Sequence, residues 1–131
     1  EGFNAFEKSI LKDHEGFIHG FMSKIFQAGK IPDGLDWAYN DMMALPPYLG
    51  IALYSDYVYS DYTDVLPTIT VPTLVLSSNS GIFPKSLEQG KWIASQIPKG
   101  EFVPFETGGH MLMWTEADKF NKVVAEFAAR L

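Results

Sequence analysis

The sequence predicts an α/β protein in which a helical segment precedes a two-strand parallel βαβα unit. Two observations predict this class. Apolar residues recur at three- and four-residue spacing from residue 3 to about residue 66, as in amphipathic helices. From residue 65 the pattern changes to short apolar runs that alternate with helical stretches, which is typical of parallel strands joined by a helix. We therefore divide the chain into segments 1–66 and 67–131.

The helical segment contains three predicted helices. The first continues to Gly29, which ends it as a C-cap would, and Pro32 follows. Gly16 and Gly20 interrupt its pattern and are expected to mark a kink or a close contact.

The next two helices are bounded by prolines and acidic residues. Asp33 or Asp36 is expected to cap the second helix, and the sequence LPPY at 45–48 ends it. A third helix begins with a proline in its first turn and continues through Tyr57.

The second segment alternates strands and helices. An apolar, β-prone run at 73–76 predicts a strand buried on both faces, and 99–106 predicts another. Helices are predicted at 85–97 and 116–131, and their order implies a right-handed parallel unit. The side chains expected to face inward are Leu87, Trp92, Ile93 and Ile97 in the first and Phe120, Val123, Val124, Phe127 and Leu131 in the second. Because two strands rarely form a stable sheet alone, we expect this unit to need neighbours that the chain does not contain.

Composition excludes several functions. The formal net charge of −6 makes a nucleic-acid backbone an unfavourable partner, so none is expected. The chain has no cysteine, which excludes disulfides and thiolate metal sites and suits a reducing cytoplasm. No apolar run approaches membrane-spanning length, so no membrane partner is expected. His14 and His19 are five positions apart and do not share a helix face, so we predict no metal and no cofactor.

Three stretches carry a family resemblance. They are SDYTDVLPTITVPTLVL at 60–76, ASQIPKGEFVPFETGGH at 94–110 and MWTEADKFNKVVAEFAARL at 113–131. Their order and spacing resemble the C-terminal half of an α/β-hydrolase with a helical cap, and are similar in particular to the proline iminopeptidase and small-ester hydrolase branches. The resemblance implies that 1–66 is part of the cap, or lid, and that 67–131 is the C-terminal part of the hydrolase core.

The histidine in FETGGHMLMW, residues 105–114, is the principal candidate for chemistry. The resemblance implies that His110 is the general base of a Ser-His-Asp triad. Gly108 and Gly109 would let the backbone turn sharply after the strand and keep bulk away from a substrate. The alternative interpretation of His110 is a turn residue that only packs or donates a hydrogen bond.

The acid of the triad is not evident. In the family the acid usually stands four residues before a proline, and here Ser80 stands four residues before Pro84. Either the acid follows an earlier strand, before Glu1, or the site is degenerate and Asn79 and Ser80 orient His110 by hydrogen bonds alone.

The nucleophile and part of the pocket also need explanation. No G-x-S-x-G motif is present, so we expect nucleophile and oxyanion hole to come from an N-terminal half. That half, or a second copy bound at an exposed sheet edge, is the expected macromolecular partner. The side chains that could line a pocket for a small-molecule substrate are Met111, Met113, Trp114, Met42 and Trp37.

These observations predict part of a cytoplasmic serine hydrolase that acts on a small ester and is inactive as this chain alone. Two alternatives stay open. One is an amide or peptide hydrolase of the proline iminopeptidase type. The other is a non-catalytic ligand-binding module with a degenerate triad.

Overall fold

A computed structural model of the chain describes residues 2–26 and 33–131, with side chains from residue 4 onward. The predicted helix end at Gly29 and Pro32 lies outside these residues. The described residues form two compact units. The first extends to Ser23 and includes 33–61, and the second contains 24–26 and Tyr62–Leu131.

The first unit is helical, as predicted. Its helices are α1 (Gly2–Lys12), α2 (His14–Ile25, whose last two residues belong to the second unit), α3 (Asp36–Ala44) and α4 (Pro47–Tyr59). The long first helix expected from the sequence is broken between α1 and α2, at Asp13 rather than at a glycine. The Asp13 carboxylate accepts a hydrogen bond from the Gly16 backbone N–H at 2.9 Å, which is an N-cap for α2.

The two glycines of this region have different surroundings. A Cβ at Gly16 would lie 2.2 Å from Asp13 Oδ2, so this glycine makes the predicted close contact. A Cβ at Gly20 would meet no atom within 4 Å, so Gly20 makes no close contact.

The prolines predicted the boundary between α3 and α4 correctly, whereas the aspartates did not predict the cap of α3. Leu35, rather than Asp33 or Asp36, precedes α3, and no side chain caps it. The expectation of an aspartate cap is therefore wrong, and Asp36 lies instead in the first turn. Helix α3 ends at Ala44, before the LPPY sequence, and α4 begins at Pro47, as predicted.

Aromatic side chains join α1 to α2 and α4. The Phe6 ring stacks on the Tyr54 ring at a centroid distance of 4.0 Å and meets the edge of Phe17 at 5.1 Å. The buried apolar side chains of this unit are Ile10, Ile18, Met22 and Leu35.

The second unit is a parallel βαβ arrangement followed by helices. A 3₁₀ segment (Thr63–Thr68) leads to β1 (Thr73–Ser78), α5 (Ser86–Gln96), β2 (Gly100–Phe105), a 3₁₀ turn (Gly109–Met111), α6 (Leu112–Thr115) and α7 (Ala117–Ala128). The strands pair in parallel from Thr73 opposite Gly100 to Ser78 opposite Phe105, which confirms the predicted order.

Helix α5 packs on the strands through small residues. Gly90 and Ala94 are buried, and a Cβ at Gly90 would lie 2.8 Å from Ser77 Cβ. Trp92 is 48% exposed, so its predicted inward position is wrong. Helix α5 approaches the strands closely on the face that carries Gly90, and the Trp92 indole lies on another face.

Three other burial predictions fail. Strand β1 is not buried on both faces, since Thr73 to Ser77 are half-buried and only Ser78 is buried. Within the part of the chain that the structure describes, β1 pairs with β2 alone.

The other two failed predictions concern α7. Val124 is 38% exposed because it lies beside the inward row of α7, and Leu131 is 75% exposed because it lies beyond the helix end.

Candidate functional site

His110 lies in the 3₁₀ turn that follows β2. The turn depends on two glycines, since Gly108 has φ 109° and Gly109 has φ 62°. Such positive values are costly for residues with a Cβ, so the expectation that the glycine pair turns the backbone is confirmed. A Cβ at position 108 would also lie 3.0 Å from Glu116 Cγ.

The His110 side chain is exposed. Its ring contacts the Phe83 ring at a centroid distance of 5.2 Å and an interplanar angle of 47°. Within residues 2–26 and 33–131, no hydrogen bond or ion pair to its imidazole is found. Phe83, in the loop after β1, therefore packs at a tilt against a ring whose nitrogens have no partner among the described residues.

The loop after β1 contains the two residues considered for the acid position. Ser80 is buried, and its hydroxyl accepts a hydrogen bond from the Ile82 backbone N–H at 3.3 Å. Asn79 is exposed. Neither side chain hydrogen-bonds to His110, and no described carboxylate does so. Among the described residues, no carboxylate is therefore paired with His110.

Two hydroxyl groups hold the carbonyls that precede His110. The Ser78 hydroxyl donates to the Gly109 carbonyl, and the Thr115 hydroxyl donates to the Gly108 carbonyl at 2.6 Å. The sequence prediction included neither residue. One feature of the sequence could have indicated Ser78. It ends a predicted parallel strand, and ligand sites of α/β sheets lie at the carboxyl ends of their strands. No such feature indicated Thr115.

The predicted pocket residues lie in both units. Met111 is half-buried, while Met113 and Trp114, in α6, are 44% and 48% exposed. On α3 of the first unit, Met42 is half-buried and Trp37 is 58% exposed. That these residues line a substrate pocket stays a prediction.

The described residues include neither a metal-binding cluster nor a membrane-spanning helix. Across the described ranges, no three His, Asp or Glu side chains lie close enough to hold a metal ion. No helix in those ranges is long and apolar enough to cross a membrane.

Comparison with curated proteins finds hydrolases. The AB hydrolase superfamily protein YisY of Bacillus subtilis is 30% identical over 80% of this chain and 39% of its own length. A proline iminopeptidase of Saccharolobus solfataricus is 37% identical over 51% of this chain and 21% of its own. The bifunctional esterase/perhydrolase DCH of Acinetobacter calcoaceticus is 26% identical over 97% of this chain and 48% of its own. The chain spans about half the length of its relatives or less. No protein-family model matches it.

Solved structures share the fold. A bromoperoxidase from Bacillus anthracis superposes with a TM-score of 0.81 and 21% identity over 97% of this chain and 48% of that protein. An esterase from Exiguobacterium antarcticum gives a TM-score of 0.82 and 23% identity over 96% of this chain and 47% of that protein. Since sequence and structural likenesses agree, the chain belongs to the α/β-hydrolase superfamily and corresponds to the C-terminal part of its fold.

Proposed function

We propose that this chain supplies the catalytic base, His110, of a serine hydrolase that acts on a small carboxylic ester. The observation that carries the proposal is the position of His110, exposed on a glycine turn directly after β2. A general base of this kind must reach a serine hydroxyl with one ring nitrogen and a carboxylate with the other. A loop imidazole with no internal hydrogen bond among the described residues can meet both requirements.

In the proposed reaction His110 Nε2 accepts the proton of the serine hydroxyl as the oxygen attacks the ester carbonyl carbon. The same proton is then given to the leaving alcohol, and water repeats the cycle on the acyl-enzyme. The serine, the oxyanion-hole donors and the acid belong in this proposal to an N-terminal half of the same protein. We refer below to this chain together with that half as the complete enzyme. No cofactor enters this chemistry, and a cytoplasmic location is part of the proposal.

The relative DCH, whose name includes an esterase, matches 97% of the chain and supports an ester as the substrate. In the proposal the acyl group contacts the apolar side chains that follow His110, which are Met111, Met113 and Trp114.

The test is a His110→Gln variant of the complete enzyme assayed with p-nitrophenyl acetate. We expect turnover to fall by at least about a thousandfold, as loss of a triad histidine does elsewhere. The matched control is His19→Gln, which changes an exposed histidine of α2 and should retain the wild-type rate. Wild-type turnover in His110→Gln, with an unchanged melting curve, would remove the base assignment.

An amide or peptide substrate is the second candidate. The proline iminopeptidase relative favours it, since that protein is 37% identical over 67 residues. The comparison to make is kcat/KM for a proline p-nitroanilide against that for p-nitrophenyl acetate. A higher kcat/KM for the anilide would show that the preferred substrate class is an amide and not an ester. The role of His110 would be unchanged.

A non-catalytic binding module is the third candidate. It is favoured by Ser80, which is buried and accepts from the Ile82 N–H where a triad acid would be expected. An N-terminal half with a serine in a G-x-S-x-G motif and an aspartate after an earlier strand would support the enzyme. A half that lacks both would support the binding module.

A further inference from the structure

Three serines connect the end of β1, the start of α5 and the loop that carries His110. The Ser78 hydroxyl donates to the Gly109 carbonyl, and the Ser86 hydroxyl donates to the Ser78 carbonyl. The Ser77 hydroxyl donates to the Ser86 carbonyl at 2.7 Å. We call Ser77, Ser78 and Ser86 the serine clamp.

Within the clamp, Ser78 makes the connection to the histidine loop. It is 3% exposed and lies opposite Phe105, so the last residues of the two strands are neighbours in the sheet. Gly109 is also buried. A buried carbonyl needs a hydrogen-bond donor, and here the donor comes from the end of a strand rather than from the loop itself.

The loop needs such an anchor because its own backbone is permissive. Gly108 and Gly109 both have positive φ, and glycine loses more conformational freedom on ordering than any other residue. Thr115 holds the Gly108 carbonyl, but it is exposed and only seven positions away in the same segment. Its bond closes the loop on α6 and does not tie the loop to the sheet.

We propose that Ser78 is a positioning residue for His110. Its hydrogen bond to the Gly109 carbonyl fixes the peptide group that leads into His110, and so fixes the direction from which the imidazole reaches the nucleophile. This inference rests on the proposed role of His110 as base. General-base catalysis depends on placement, because proton transfer needs the two heavy atoms at hydrogen-bond distance.

The test is Ser78→Ala in the complete enzyme. We expect kcat for p-nitrophenyl acetate to fall by about ten- to a hundredfold, the usual cost of a small misplacement, while KM changes little. The ring ¹⁵N signals of His110, assigned by their loss in His110→Gln, should shift or broaden. Ser78→Thr restores the hydroxyl and should recover much of the rate. The matched control is Ser95→Ala, since Ser95 donates to the Trp92 carbonyl on the exposed side of α5 and should change neither readout.

A Ser78→Ala enzyme with wild-type kcat and unchanged His110 signals would overturn the inference. Should this variant fail to fold, Ser86→Ala removes the donor to the Ser78 carbonyl and should shift the same signals; unchanged signals and kcat there would also overturn it. The proposed function fails separately, by wild-type turnover in His110→Gln. In that event the His110 signals still report whether Ser78 orders the loop.

Discussion

The hydroxyl of Ser78, at the end of a strand, donates a hydrogen bond to the carbonyl of Gly109, 31 positions later in the chain. Gly109 precedes His110 and has a positive φ. The bond therefore constrains the backbone of the histidine loop and leaves the imidazole itself without an internal hydrogen bond among the described residues. A general base needs this combination, because its ring must change partners while its location stays constant.

Gly108, which precedes Gly109 and His110, should not accept a side chain. At Gly108 the φ of +109° is unfavourable for any L residue, and an added Cβ would lie 3.0 Å from Glu116 Cγ and 3.3 Å from Leu112 Cα. We expect Gly108→Ala to lower the free energy of unfolding by about 1–3 kcal/mol, measured by urea denaturation of the complete enzyme. Gly81→Ala is the control, because its nearest atom is the Lys24 carbonyl oxygen at 3.4 Å and little change is expected. Equal stability of the two variants would contradict the constraint on the turn.

Two glycines inside helices should respond in opposite directions to the same substitution. A Cβ at Gly90 of α5 would lie 2.8 Å from Ser77 Cβ and 2.9 Å from Phe102 Cε2, so Gly90→Ala should destabilise by about 1–3 kcal/mol through overpacking. A Cβ at Gly20 of α2 meets nothing within 4 Å, so Gly20→Ala should stabilise by about 0.5–1 kcal/mol through helix propensity. Thermal denaturation of both variants measures the contrast. A stabilised Gly90→Ala would mean that α5 does not approach the sheet this closely.

The sequence predicted which segments are helices and strands because that information is local. Apolar spacing located α1 and α2 as one helical run, and also α3, α4, α5, α7 and both strands. The prolines at 46 and 47 located the boundary between α3 and α4. Apolar character did not reveal which face of a helix makes contact. Trp92 is exposed, while Gly90, which carries no hydrophobic signal, lies where α5 approaches Ser77 and Phe102 of the strands most closely.

The site was predictable in part for the same reason. His110 stands out between glycines in the sequence, but its anchor Ser78 acts through a hydrogen bond between residues 31 positions apart. No local pattern encodes such a pair, since it depends on the register of β1 against β2. The N-cap at Asp13 could have been predicted, because an aspartate before a helical run is a frequent N-cap. The nearby glycines Gly16 and Gly20 were a competing indication of where the helix is interrupted.

Asp13 should therefore contribute measurably to the stability of α2. Its carboxylate accepts from the Gly16 N–H at 2.9 Å, and removing an N-cap typically costs about 0.5–2 kcal/mol. Asp13→Ala should lower the melting temperature accordingly, whereas Asp13→Ser should retain most of the stability because serine is also a good cap. Asp33→Ala is a control at an exposed aspartate that caps no described helix. A melting temperature in Asp13→Ala equal to that of the wild type would show that the cap is not formed.

This chain prepared alone is expected to self-associate. In the described residues β1 pairs only with β2, which leaves backbone donors and acceptors along one edge of each strand. Large apolar side chains are also exposed, and on α4 these include Leu53 at 64% and Tyr57 at 63%. Sedimentation velocity at micromolar concentration should show species larger than a monomer, and adding the N-terminal half should convert them to a one-to-one complex. A stable monomer that does not bind the N-terminal half would contradict both expectations.

Ser80 allows a direct test of whether a working acid exists. It is buried, and its hydroxyl accepts from the Ile82 N–H at 3.3 Å, so an aspartate there would retain a backbone donor for one carboxylate oxygen. His110 has one Nδ1–H to donate, so a second acid adds nothing to an enzyme that already has one. We expect Ser80→Asp in the complete enzyme to leave kcat nearly unchanged or lower, because the rest of the histidine loop is intact and the acid is proposed to come from the other half. Ser80→Asn is the matched control, since it adds the same volume without the charge. A many-fold gain in kcat for Ser80→Asp, absent in Ser80→Asn, would instead show that this protein lacks a working acid and would favour the degenerate triad.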